Sequence, residues 1–204
     1  ETSRLIAAHL PGVELPDDTP TALPERAGGN PLYAGEFARM LADRGIVEHR
    51  GQTMQVAAGA AIPIPETIQA VIAARLDTLP AERKALLHDA AVVGTVFWVG
   101  ALAFMSGLDE RVVEEGLQMV ARKELLRPVR TSSVKGEAEY SFRHLLIRDV
   151  AYSTLPKLVR ARRHAEVGEF ISSRAADRGE GVVAMVAEHY ARAAALGNEA
   201  PVRQ

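Results

Sequence analysis

With 204 residues, 48% apolar and 25% charged, the chain can bury an ordered core in one large domain or in a few small modules. A formal net charge of -2 gives no global pull toward nucleic acid or anionic membrane. The absence of cysteine excludes disulfides, thiolate metal sites and cysteine nucleophiles, and fits a reducing, cytoplasmic setting. No apolar run reaches the ~18–20 residues of a membrane span. The start, Glu1-Thr2-Ser3-Arg4-Leu5-Ile6, has neither an initiator Met nor a signal-peptide pattern, so the chain reads as a piece of a longer protein.

Residues 3 to 10 predict a short helix capped by Ser3 and stopped by Pro11-Gly12, and the Pro-rich stretch from Val13 to Pro24 predicts a linker. Gly28-Gly29-Asn30-Pro31 is a break, after which Asn30 caps a helix and Pro31 takes its first position. That helix is expected to bury Leu32, Tyr33, Phe37, Met40 and Leu41 and to end at Gly45. Residues 46 to 62 are Gly/Ala-rich with short periodicity, as for a small hairpin around Arg50-Gly51. Pro63 and Pro65 precede an amphipathic helix carrying Ile68, Val71, Ile72, Leu76 and Leu79 at helical spacing. Pro80 then opens a helix from Ala81 to Val93, stopped by Gly94.

Next come a short helix from Val99 to Met105, a turn at Gly107, and a helix capped by Asp109 that carries Val113, Leu117 and Val120. Leu125 to Arg130 reads as a strand, at a sheet edge because of Pro128, and Thr131 to Glu137 as a wing. Tyr140 and Phe142 alternate with polar residues in a returning strand. Helix, helix, helix, strand, wing, strand is the winged-helix order. Helices follow from Leu145 to Leu155, Val159 to Arg174 and Val182 to Leu196. The last is expected to bury Val183, Val186, Ala187, Tyr190, Ala191 and Ala194, and the final pair has the length of one unit of a helical array.

None of the six histidines (His9, His49, His88, His144, His164, His189) lies in a zinc-binding spacing, so no metal site is expected. The one Gly-rich phosphate candidate, Ala27 to Pro31, lacks the Gly-Lys-Ser/Thr that would put a lysine on phosphates and a hydroxyl on magnesium. No catalytic residues are expected. The helix start at Pro31 still offers N–H groups to an anion or nucleotide, and is equally a plain well-capped helix. His144, between a strand and a helix, suits helix capping first and contact with an anion second.

A groove-reading helix from Asp109 would begin Asp-Glu-Arg-Val-Val-Glu-Glu, repelling phosphates, and the wing's Lys135 is answered by Glu137 and Glu139. Against this stands the basic run Lys157 to His164, a DNA-binding alternative whose blander explanation is a solvated helix face.

Three segments in order, GGNPLYAGEFARMLADRG, IPETIQAVIAARLDTLPAERKALLHDAAVVG and YSFRHLLIRDVAYSTLP, resemble the signal-transduction P-loop ATPases with numerous domains (the STAND class). Bacterial regulators of the maltose-activator type and multidomain adenylate cyclases belong to that class. The resemblance implies a mainly α fold: a helical lid over residues 1–80, a winged helix with a small β-hairpin over 81–155, and the start of a tetratricopeptide-like array over 156–204. It also implies that Gly29, Asn30, Pro31 and Leu32 lie against the base of ADP, and that His144, next to Arg143, meets its diphosphate. Relatives in plant and animal immunity usually carry methionine where Arg143 stands and aspartate where Leu145 stands. The phosphate loop and the magnesium aspartate would lie in an upstream core. ADP and ATP with magnesium would be cofactors of the parent protein, not of this piece. The expected partners are that core, a downstream helical sensor and, on activation, further copies of the chain, with no membrane and no nucleic acid bound through this fragment.

Overall fold

The computed structural model describes residues 26–50, 53–56, 62–132, 136–174 and 180–198. The chain divides into two compact units, Glu1–Leu79 and Pro80–Gln204. The predicted helix at 3–10, the linker to Pro24, the hairpin tip at Gly51 and Lys135 of the wing lie outside the described residues.

In the first unit, Gly28 and Gly29 take left-handed backbone (φ 53° and 79°), which glycine adopts without a Cβ penalty. The turn delivers Asn30 as cap of α1 (Pro31–Asp43), its Oδ1 accepting from Leu32 N at 2.9 Å. Tyr33, Phe37, Met40 and Leu41 are buried as the periodicity predicts, but Leu32 in the first turn is only half-buried. The expected hairpin forms from β1 (Val47–Arg50) and β2 (Thr53–Val56), with Val47 opposite Val56. Thr67 caps α2 (Ile68–Leu76), whose Val71, Ile72 and Leu76 are fully buried. Tyr33, Phe37, Met40, Leu41, Val47 and Val71 form one apolar cluster, with Ile46, Ile62, Ile64 and Ile68 packed against it. The buried face of α2 also carries a cation: Arg75, 1% exposed, donates to Glu36 and, at 2.8 Å, to Asp43, both on α1.

The second unit runs α3 (Ala81–Val93), β3 (Val96–Trp98), α4 (Val99–Ser106), α5 (Glu110–Arg122), β4 (Leu126–Pro128), β5 (Glu139–Phe142), α6 (Leu145–Thr154), α7 (Lys157–Ser173) and α8 (Glu180–Asn198). The strands form an antiparallel sheet in the order β3-β5-β4. Three residues are too few to show a period, so β3 escaped prediction. It is fixed by pairing with β5 and by the packing of Phe97 against Tyr140 and Phe142, at centroid distances of 6.4 and 5.6 Å. β4 is an edge strand, as Pro128 requires, and shorter than predicted. Alternation in β5 does not mean one wet face: all four of its residues are buried, because it is the central strand. Its polar side chains are satisfied, Ser141 Oγ accepting from Arg127 and Glu139 from Ser132.

Helix α3 is the hub, touching α4, α5, α6, α7 and β3. Gly116 lets α5 approach it closely, since a Cβ there would lie 2.8 Å from Leu86 Cδ1. Of the predicted buried face of α8 only Val186 turns inward, whereas Val183, Ala187, Tyr190, Ala191 and Ala194 are exposed. The inner face instead runs through Val182, Val186, His189, Ala193 and Leu196, centred on a buried histidine that hydrogen-bonds to α7. Among the described residues, no helix is long and apolar enough to cross a membrane.

Candidate functional site

The sequence-predicted site residues fall in both units. Gly29, Asn30 and Pro31 are exposed and Leu32 half-buried at the start of α1. Asn30 N donates to Ala27 O at 2.8 Å, closing the turn, and the Asn30 side chain is occupied with the cap. What remains available here is apolar surface at Pro31 and Leu32 beside the positive end of a 13-residue helix.

Arg143 and His144 form the step from β5 into α6. The step is held by backbone, with Phe142 N donating to Thr95 O and Arg143 N to Leu125 O, each at 3.0 Å. His144 occupies the cap position in extended conformation, yet its side chain makes no capping hydrogen bond. This overturns the capping role favoured from residue chemistry. His144 O serves the helix instead, accepting from Ile147 N at 3.1 Å, while the exposed imidazole hydrogen-bonds to no described residue. Arg143 is exposed too, with one loose pair to Glu124 at 3.7 Å. An exposed cation beside an uncommitted imidazole can receive an anion without first breaking a strong contact.

The basic run from Lys157 to His164 is a solvated face only in part: Lys157 and Arg162 are exposed, whereas Arg160, Arg163 and His164 turn inward. Arg163 pairs with Asp89 at 3.0 Å and with Glu166 at 2.8 Å, and donates to Met105 O at 2.7 Å. Asp89 is 4% exposed, and burial pushes its carboxyl up to about 6 against the pull of Arg163. Arg162 pairs with Glu166, and Arg160 lies 4.9 Å over the Tyr152 ring. His164 is fully buried.

Sequence reasoning missed the polar chain that His164 joins. Tyr152 Oη lies 2.9 Å from His164 Nε2, and His164 Nδ1 lies 2.9 Å from His189 Nδ1. Burial first, then His189, Arg192, Arg148 and Arg160, hold His164 down to about 3. His189 is lowered for similar reasons, burial first and Arg192 next. Both rings are therefore neutral near pH 7. The signal was present: His164 lies three residues before Val167 and seven before Ile171, on the buried period of α7. Among the described residues, no group of three or more His, Cys, Asp or Glu is gathered as for a metal.

In comparison with known proteins, no family model matches this chain and no curated protein matches it.

Proposed function

We propose that this chain is the regulatory part of a STAND-type ATP-dependent signalling switch. It closes over ADP bound to an upstream core and couples a downstream helical sensor to oligomerisation and to a transcriptional or cyclase output. One observation carries this reading. The order α3-β3-α4-α5-β4-β5, with strands arranged β3-β5-β4, supports reading this unit as a winged helix, and it ends at an exposed His144, whose side chain makes no cap, in Phe142-Arg143-His144.

In this reading His144 offers a ring N–H to the diphosphate, Arg143 adds charge, and Pro31 with Leu32 gives the base an apolar contact. These contacts exist only in the closed state, so they set the population of closed against open. The outer face of α5 favours a protein partner over DNA. Val112 and Met119 are exposed there, with Asp109, Glu110 and Glu115 alongside. The chain has no phosphate-binding loop with Gly-Lys-Ser/Thr, so it contributes contacts to the switch and no catalysis of its own. The helix pair α7 and α8, in close contact through Gly168 and Tyr190, is read as the first step of the sensor array.

The test is ADP release from the parent protein that carries the upstream core. His144→Ala is expected to speed release by about tenfold, the worth of one charge-assisted hydrogen bond. Release at an unchanged rate would remove His144 from the switch.

A further inference from the structure

Between α6, α8 and the turn joining α3 to β3 lies a cavity of about 280 Å³, whose polar lining includes Thr95, Arg148, Glu188, His189 and Arg192. At roughly 30 Å³ per water in the liquid, this is room for a tetrahedral oxyanion together with some of its hydration.

The lining is equipped to donate. Arg148 spends Nε on Ala91 O and Nη1 on Asp149, which leaves Nη2 without a hydrogen bond to any described residue. Thr95 is exposed and its hydroxyl is likewise unengaged by described residues. Arg192 is tied to Glu188 one helical turn away, in an exposed pair of the kind an incoming anion displaces at small cost.

His189 supplies the independent observation. It is 7% exposed, its Nδ1 faces His164, and its Nε2 hydrogen-bonds to no described residue. The polar chain behind it has two possible directions, and each leaves one polar hydrogen over. If Tyr152 donates to His164 and His164 donates to His189, every polar hydrogen in the chain is used except the one on His189 Nε2. The opposite direction leaves the hydrogen of the half-buried Tyr152 hydroxyl over instead. The first arrangement presents an N–H at the cavity, beside two guanidinium groups and against one carboxylate, and an oxyanion there supplies the acceptor that this hydrogen lacks.

We propose that this cavity is a binding site for a phosphate-type oxyanion, held by Arg148, Arg192 and the Nε2–H of His189, with Thr95 as a further donor. The site uses none of the residues assigned to nucleotide contact above, so it stands or falls separately from that reading. An anion held there bridges α6 to α8, so binding also stabilises the docking of the last helix.

The experiment titrates inorganic phosphate into the full chain at constant ionic strength, read by calorimetry and by the histidine ring ¹⁵N resonances. Saturable binding that shifts the His189 Nε2 signal is expected. Arg192→Ala, at a half-exposed position and with its fold checked by circular dichroism, should weaken binding by about tenfold. Glu188→Gln, which frees Arg192 and removes the opposing charge, should tighten it. Absence of saturation, or equal affinity in Arg192→Ala, would overturn the site. Competition by glycerol 3-phosphate then separates the sources. Tighter binding than phosphate assigns the group to a phosphate monoester, and binding no tighter assigns it to the free ion.

Discussion

His164 is fully buried, and the charged side chains facing it are cationic: Arg148 from α6, Arg160 from α7 and Arg192 from α8, with neutral Tyr152 and His189 in contact. Its pKa falls from 6.5 unfolded to about 3 folded, so the unfolded chain takes up a proton that the native state refuses. The stability it contributes is complete above 6.5 and is lost as pH falls toward 3. His189, lowered as well, adds the same sign. Asp89 acts oppositely. Raised from 3.8 to about 6, it favours the native state at low pH and loses that contribution as pH rises through 6. Chemical denaturation of the second unit across this window should show a net loss on acidification. His164→Leu should make the loss shallower and Asp89→Asn steeper. An unchanged slope in His164→Leu would take that residue out of the balance. At this scale the polar residues that matter were readable only as periodicity. Arg75 sits four residues after Val71 and His164 three before Val167, both in apolar registers. Charge argued for solvent at each position, and burial prevailed because specific partners were waiting.

Between elements, α1 and α2 are joined by a cation as well as by packing. Arg75 and Glu36 are 1% and 0% exposed, and Asp43 is 11% exposed. Breaking one arm leaves a buried guanidinium short of a partner, which is costlier than never having placed the charge there. Glu36→Gln is expected to lower the stability of the first unit by at least about 2 kcal/mol in urea unfolding. A loss within the ~0.5 kcal/mol typical of surface substitutions would mean that apolar packing alone joins the two helices. On α7, a Cβ at Gly168 would lie 3.0 Å from the Tyr190 ring of α8. Gly168→Leu should therefore push α8 away, costing about 1–3 kcal/mol and exposing Tyr190 further. Unchanged stability and Tyr190 fluorescence would show that the ring simply swings aside. Element boundaries were legible wherever the backbone is punctuated. Pro80 and Gly94 bracket α3 where predicted, and Asp109 caps α5 through Arg111 N. The strand β3 was not, because its existence depends on β5 more than forty residues away.

At the scale of the whole molecule, the chain breaks into units between Leu79 and Pro80, at one of the prolines that punctuate the sequence. Its mainly helical character and two of the three strands of its antiparallel sheet, β4 and β5, were legible, because apolar spacing, caps and breakers are local properties of a chain. Which strand lies in the middle, which face of α8 turns inward, and how Tyr152, His164 and His189 meet were decided only by tertiary packing. The exposed step at Arg143 and His144 was marked by its residues, but its freedom from capping was not, since that depends on how β5 feeds α6. The cavity at Arg148, His189 and Arg192 was invisible in the sequence, because Arg148 lies on α6, more than forty residues before His189 and Arg192 on α8. Local chemistry writes the elements into the sequence, whereas a site assembled across elements exists only once burial and hydrogen bonding have brought its parts together.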